Sequence, residues 1–122
     1  MAYYVDGFVL AVAKKNLPAY KKIAKQAAKV FIEHGAIEYC ECLQDDLDVS
    51  FGLPFPKLMK TKADEVIIFS WIVYETKAHR NRVGKLVMKD PRMAAMCDPN
   101  NMPFDMKRMA WGGFKTIVEA QA

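Results

Sequence analysis

Asp6 interrupts an otherwise apolar and aromatic run, "YVDGF" at residues 4–8. In the two-residue alternation of a strand it shares a face with Tyr4 and Phe8. A carboxylate there must find a partner or lose solvation. Such a group suits a pocket acid or base with a raised pKa. The competing role is structural, as an ion pair with Arg108 or Lys107 or a bond to a backbone amide, which perturbs a pKa equally well. An Asp6–Arg108 pair is geometrically allowed, because the strands carrying them are neighbours in the fold derived below. Arg108 is, with Asp6, a candidate catalytic residue, Ser70 is a further polar candidate, Trp71, Tyr74 and Phe104 are candidate ligand-binding walls, and Asp105 could reach the same pocket. Ser70 and Trp71 face opposite sides of one strand, so the full set cannot line a single pocket.

Other chemistry finds less support. Cys40 and Cys42 form a C-x-C with Glu38 on one strand face, but Cys97 is distant and neither histidine lies at ligand spacing, so no metal site is expected. His34 ends a helix, where a cation suits the dipole. His79 stands beside Arg80 and Arg82 with Lys77 and Lys85 near, a cluster that fits an anion site or, more commonly, a solvated helix face. Met88, Met93, Met96, Met102, Met106 and Met109 crowd the C-terminal third. Met93-x-x-Met96-Cys97 offers soft sulfur to Cu(I), but adaptable packing is the commoner use. Gly112-Gly113 precedes no helix and is no phosphate loop. No cofactor is expected.

These residues need elements to position them. The chain has 122 residues, 52% hydrophobic and 26% charged, which is the composition of one globular domain spanning 1–122. Tyr3–Val12 reads as a strand, then Asn16 as the cap of a helix over 16–34 with Pro18 in its first turn and Gly35 as its stop. Ala36–Leu43 is a second strand. Residues 44–64, with an acidic cluster and several apolar side chains, read as an ordered excursion, a lid or a dimer contact. Val66–Tyr74 is the strongest strand. A helix follows over Lys77–Lys89 with Ala78, Val83, Leu86 and Val87 as its apolar side, then a short helix Pro91–Met96, a loop 98–104, and a fourth strand Arg108–Glu119. The glycine pair inside that strand predicts a bulge or a close approach by another backbone or a ligand, with Gly7 opposite. The order β-α-β, β-α-β is the ferredoxin-like arrangement, α+β with an antiparallel sheet and both long helices on one face.

Two strands are apolar on both faces. Phe69, Trp71 and Val73 point one way, Ile68, Ile72 and Tyr74 the other. A sheet with one wet face should alternate apolar and polar. The helices cover one face only, so a second copy laying its sheet on the first is expected to cover the other, giving a two-fold homodimer with a shared barrel-like interior.

The stretches "YVDGF" (4–8), "HGA" (34–36), "FPKL" (55–58), "FSWIVY" (69–74), "DPR" (90–92), "MPFD" (102–105), "KRM" (107–109) and "GGF" (112–114) resemble the bacterial YbaA-like family of small proteins of uncharacterised function. The resemblance runs over almost the whole chain in one order. It implies the dimeric α/β-barrel superfamily and carries no catalytic residues to transfer. It departs at Cys40, where the family pattern is basic, so it lends nothing to chemistry built on that thiol. The wider superfamily includes small oxygenases, isomerases and decarboxylases, a fold-level analogy only.

The net charge of +4 identifies no nucleic-acid partner by itself. RNA-recognition domains share this topology, but their third strand carries basic and glycine residues among exposed aromatics, whereas "EVIIFSWIVYE" has neither, so RNA binding is disfavoured. No apolar run reaches membrane-spanning length, and the first residues lack a signal-peptide pattern. Three cysteines without framework spacing complete the expectation of a cytoplasmic protein. Two functions stay open. The first is a dimer that binds or transforms a small organic molecule in a pocket by the sheet. The second is a non-catalytic structural or interaction dimer with a filled core. An RNA-binding module is a distant third.

Overall fold

The computed structural model describes residues 2–98 and 100–122. Pro99, inside the expected loop 98–104, lies outside the described residues. Strands β1 (Tyr4–Ala13), β2 (Glu38–Leu43), β3 (Glu65–Tyr74) and β4 (Ala110–Lys115) form one sheet in the order β2-β3-β1-β4. Every neighbouring pair is antiparallel. Helices α1 (Leu17–Glu33), α2 (Phe55–Met59), α3 (Lys77–Lys89) and α4 (Pro91–Met96) complete the chain. This is the expected α+β, ferredoxin-like fold. The sheet is open and does not close on itself.

Strand parity sorts the sheet into two faces. Leu10, Val12, Ile68, Ile72 and Tyr74 point to the helices and are buried there. They meet Tyr20, Ala24 and Val30 of α1 and Val83 and Val87 of α3. The stripe on α3 differs from the expected one. His79 is buried in it and Ala78 is exposed. Thr76 caps α3 by accepting the His79 N–H at 3.0 Å, and the His79 ring accepts the Glu75 N–H at 3.0 Å. A side chain that serves the helix start and packs edge-on against Tyr74 is turned inward, so it is not part of a solvated basic cluster.

Asn16 ends a short 3₁₀ turn and makes no side-chain cap; its amide donates to the Pro103 carbonyl at 3.3 Å. The tie to a distant loop wins over the local cap. Gly35 stops α1 as expected, at φ 114°. A methyl group there would meet His79 and Val83 only at ordinary contact distances. Gly35→Ala is therefore expected to cost about 1 kcal/mol through backbone conformation alone, read by thermal unfolding.

Strand β4 is shorter than Arg108–Glu119. Asp105 accepts the Lys107 N–H and starts a 3₁₀ turn over Met106–Arg108, which removes Arg108 from the strand. At the other end Lys115 pairs with Tyr4, the first residue of β1, so the partner strand has run out. The pairing from Tyr4–Lys115 to Val9–Ala110 is unbroken, and no bulge occurs at Gly112-Gly113. Gly7 does lie opposite Gly112.

The second face carries Val5, Val9, Phe69, Trp71, Val73 and Phe114. Residues 44–59 cover one end of it. Gln44 exchanges bonds with Ile67, and Phe55 packs edge-on against Phe69 at 6.2 Å. The rest is bare. Phe114 is 65% exposed, Phe69 45%, and a hollow of about 600 Å³ lies over the Gly7–Gly112 pair between Val5, Val9, Phe69, Trp71 and Phe114. No helix among the described residues is long and apolar enough to cross a membrane.

Candidate functional site

Asp6 is buried, as its place on β1 requires, and 5% exposed. Its partner is not Arg108. Arg80 of α3 donates from Nε to Asp6 Oδ1 at 3.0 Å. The Arg80 guanidinium also lies over the Tyr4 ring, 5.2 Å from its centroid, and gives Nη1–H to Asn81 at 2.9 Å. Gly113 pairs with Asp6 across the sheet, and the space beside it is occupied. A Cβ there would collide with the Tyr4 ring and hydroxyl and with Arg80 Nη2. Of the two roles a strand glycine can have, close approach is the one used here. Gly113→Ala is expected to displace Tyr4 and Arg80 and to lower stability by about 1–3 kcal/mol, measured by urea unfolding, since the clash falls on a packed ion pair.

Desolvation raises the Asp6 pKa, and the hydrogen bond and charge of Arg80 pull against it. Tyr74, 1% exposed, is raised as well, chiefly by burial and then by the Asp6 charge. A carboxylate and a phenol that both resist ionisation thus sit together against a guanidinium. They line a cleft of about 830 Å³ between β1, β3, β4 and α3, whose apolar wall includes Phe8, Ile72, Val87, Met93 and Trp111. Phe8 and Trp111 stack with centroids 5.8 Å apart.

The other expected site residues are dispersed. Ser70 and Phe104 line a smaller cavity of about 180 Å³ between α1 and the sheet. It borders the cleft, since Phe8, Ile72, Met93, Met106 and Met109 line both. Phe104 packs edge-on against Tyr20 at 5.6 Å. The indole N–H of Trp71, on the opposite face, donates to Glu38 at 3.1 Å. Asp105 is exposed and caps its turn.

Arg108 reaches Glu65, 2.6 Å from Nη1 to Oε2 and 3.0 Å from Nη2 to Oε1, and the carbonyls of Met59 and Lys60. It clamps the end of α2 to the start of β3, far along β1 from Asp6. The Asp6–Arg108 pairing that strand adjacency allows does not form, because adjacency fixes which backbones meet, while the 3₁₀ turn carries the Arg108 side chain to the other end of the sheet. The Arg108 bond, followed by the Lys62 N–H, lowers the Glu65 pKa from 4.5 to about 2. A depressed folded pKa contributes stability above the unfolded value that is lost as pH falls through the folded one. Glu65→Gln is therefore expected to be less stable than the parent near neutrality and to converge with it between about pH 4.5 and about pH 2. Urea midpoints across that range would check it.

Two groupings escaped the sequence reading. Arg80 was visible only as one of a basic run. Glu41 accepts from Tyr20 at 2.7 and 2.9 Å and from Tyr39 at 3.1 Å, facing Ser70 across the sheet. Burial, and then the Glu41 charge, push both phenols up. The signal was the alternation Tyr39, Glu41, Leu43, opposite in parity to Cys40 and Cys42. Those two sulfurs stand 3.8 Å apart. Among the described residues no three His, Cys, Asp or Glu side chains group to hold a metal ion.

An open ferredoxin-like sheet with its long helices on one face and an apolar second face defines an α+β fold, and solved structures share it. A dimeric ferredoxin-like protein from an uncultured marine organism matches with a TM-score of 0.61 at 8% identity, over 100% of this chain and 94% of that one. A nipsnap family protein of unknown function from Agrobacterium tumefaciens matches with a TM-score of 0.58 at 14% identity, over 93% and 87%. At that identity the likeness shows the fold alone. In sequence, the model of a protein family of unknown function, DUF1428, matches residues 3–106. The uncharacterized protein YbaA of Escherichia coli K12 is 40% identical over 116 residues, 95% of this chain and 97% of that protein. The chain belongs to the DUF1428 family.

Proposed function

We propose that this protein is a homodimer that binds a small organic molecule in the helix-side cleft of each copy. The observation that carries the reading is the cleft itself. Its volume of about 830 Å³ exceeds the roughly 300 Å³ at which ligand sites begin, and it places a buried carboxylate, a buried phenol and a guanidinium along an apolar wall. Convergent polar groups with perturbed acidity in an apolar concavity are the usual mark of a binding or catalytic site. Asp6 and Tyr74 are the groups suited to hold a proton next to a bound molecule, and Arg80 the group suited to orient it. Ser70 and Phe104 belong to the adjoining cavity, where a longer ligand would reach them. Trp71 belongs to the dimer face, and Arg108 and Asp105 to the scaffold.

The dimer rests on the second face, where a bare hollow over two facing glycines is rimmed by Phe69, Trp71 and Phe114. Closure of two such sheets on each other gives the shared barrel. Native mass spectrometry of the purified protein tests both parts. The expected spectrum is a dimer carrying a co-purified small molecule that Asp6→Asn weakens. A monomer at micromolar concentration overturns the dimer. Ligand retention unchanged in Asp6→Asn returns Asp6 to a structural role.

A further inference from the structure

The charges facing the cleft are unbalanced. Among the described residues Asp6 is the one carboxylate that lines it, while Arg80, Lys85 and Lys89 supply three cations. Asp6 occupies only the Nε–H of Arg80, and Asn81 takes one Nη1–H. A guanidinium carries more donors than these, so hydrogen-bonding capacity is left after the internal pairs are made. The Arg80 side chain keeps 23% of its surface accessible, although Tyr4 and Asp6 hold it in place. It is a cation fixed in advance, which lowers the entropy lost when a ligand is captured. The remaining lining is of another kind. Phe8, Trp111, Ile72, Met88, Met93 and Met109 offer flat and adaptable apolar contacts.

We propose that the ligand of this cleft is a small organic monoanion, an apolar body bearing one carboxylate that Arg80 receives. This rests on the cleft being the binding site. A neutral apolar ligand would leave the spare guanidinium donors without an acceptor in a partly dry site. A polyphosphate would lose far more hydration than one guanidinium and two rim lysines replace. A single carboxylate matches the guanidinium fork, and its body fills the aromatic and methionine wall.

The chain has two tryptophans, Trp111 in the cleft and Trp71 on the opposite face. Trp71→Phe leaves Trp111 as the sole reporter of the cleft, and Trp111→Phe leaves Trp71 as the reporter of the other face. Phenylbutyrate and its neutral amide, phenylbutyramide, are titrated into both proteins. The expected result is saturable quenching of Trp111 by the carboxylate, with the amide at least about tenfold weaker. Arg80→Gln combined with Asp6→Asn keeps the buried charges balanced and should bring the two compounds to equal affinity, while Lys85→Gln should narrow the gap only in part. Equal binding of acid and amide to the Trp71→Phe protein overturns the anion inference and leaves the pocket standing. A preference that survives the Arg80→Gln/Asp6→Asn pair overturns the role of Arg80. Quenching confined to Trp71, or binding of neither compound at about 10 mM, overturns the inference and the cleft reading beneath it.

Discussion

For the proposed sheet-to-sheet dimer, Phe69→Asp is expected to give a monomer in size-exclusion chromatography with light scattering. Phe69 lies on the bare face of the central strand β3, in edge contact with Phe55 and Trp71. A buried aromatic at the centre of an interface contributes about 2–4 kcal/mol. Its loss weakens association by about 30- to 1,000-fold, and the buried carboxylate adds a desolvation penalty. The fold itself should survive, because the position is 45% exposed in the single chain and its side chain leaves the main core untouched. Leu86→Asp is the matched control. Leu86 is also 45% exposed, but it stands on α3, away from the sheet face. It should leave the mass unchanged. If Phe69→Asp remains a dimer, the sheets do not form the interface. If both variants dissociate, exposed apolar residues act without regard to face.

The fold was legible because its signals are local and repeated. Val66–Tyr74 could be placed as a strand from its β-branched and aromatic residues. Asp90-Pro91 could be placed as a helix start because the side chain and the ring act on their own backbone, and Asp90 does accept the Arg92 N–H at 2.9 Å. Apolar residues at both parities of the central strand marked a second apolar face, which the single chain leaves largely bare. The site was less legible because side-chain pairing is a long-range choice. Asp6 was marked as a charge in need of a partner, yet nothing in the sequence ranks Arg80 over Arg108. What decides is that α3 brings Arg80 within reach of Asp6 while a 3₁₀ turn carries Arg108 away. The same limit explains His34, expected as a helix-end cation. Its Nε2 meets Asp90 Oδ2 at 2.8 Å, within a chain of bonds through Arg92 to Glu33 that joins the end of α1 to the start of α4. The glycine pair was read as a bulge or as room for a backbone or ligand; the pairing is unbroken, and what approaches is the side chains of Tyr4 and Arg80, at Gly113 alone.

Arg80→Met is expected to be the most damaging single change at the cleft, lowering stability by about 3–5 kcal/mol at neutral pH in urea unfolding. The loss comes less from the bond removed than from the charge left behind. The Asp6 side chain is 7% exposed, and without the guanidinium it is a carboxylate in a nearly dry site. Its folded pKa is already raised with Arg80 present, so removal of the cation raises it further. For a group raised in the folded state, stability is greatest below the unfolded pKa and falls as pH climbs through the folded one. Arg80→Met should therefore regain stability on acidification, where the parent gains less. Adding Asp6→Asn to Arg80→Met removes the stranded charge, and most of the loss should return, giving a coupling of opposite sign to the single-variant losses. Simple additivity of the two changes would mean that the ion pair is incidental. Full recovery of stability without recovery of ligand binding would separate what the pair does for the fold from what Arg80 does for the ligand. That separation is expected, since a hydrophobic replacement of a buried ion pair is often neutral for stability while no neutral side chain can receive a carboxylate as a guanidinium does.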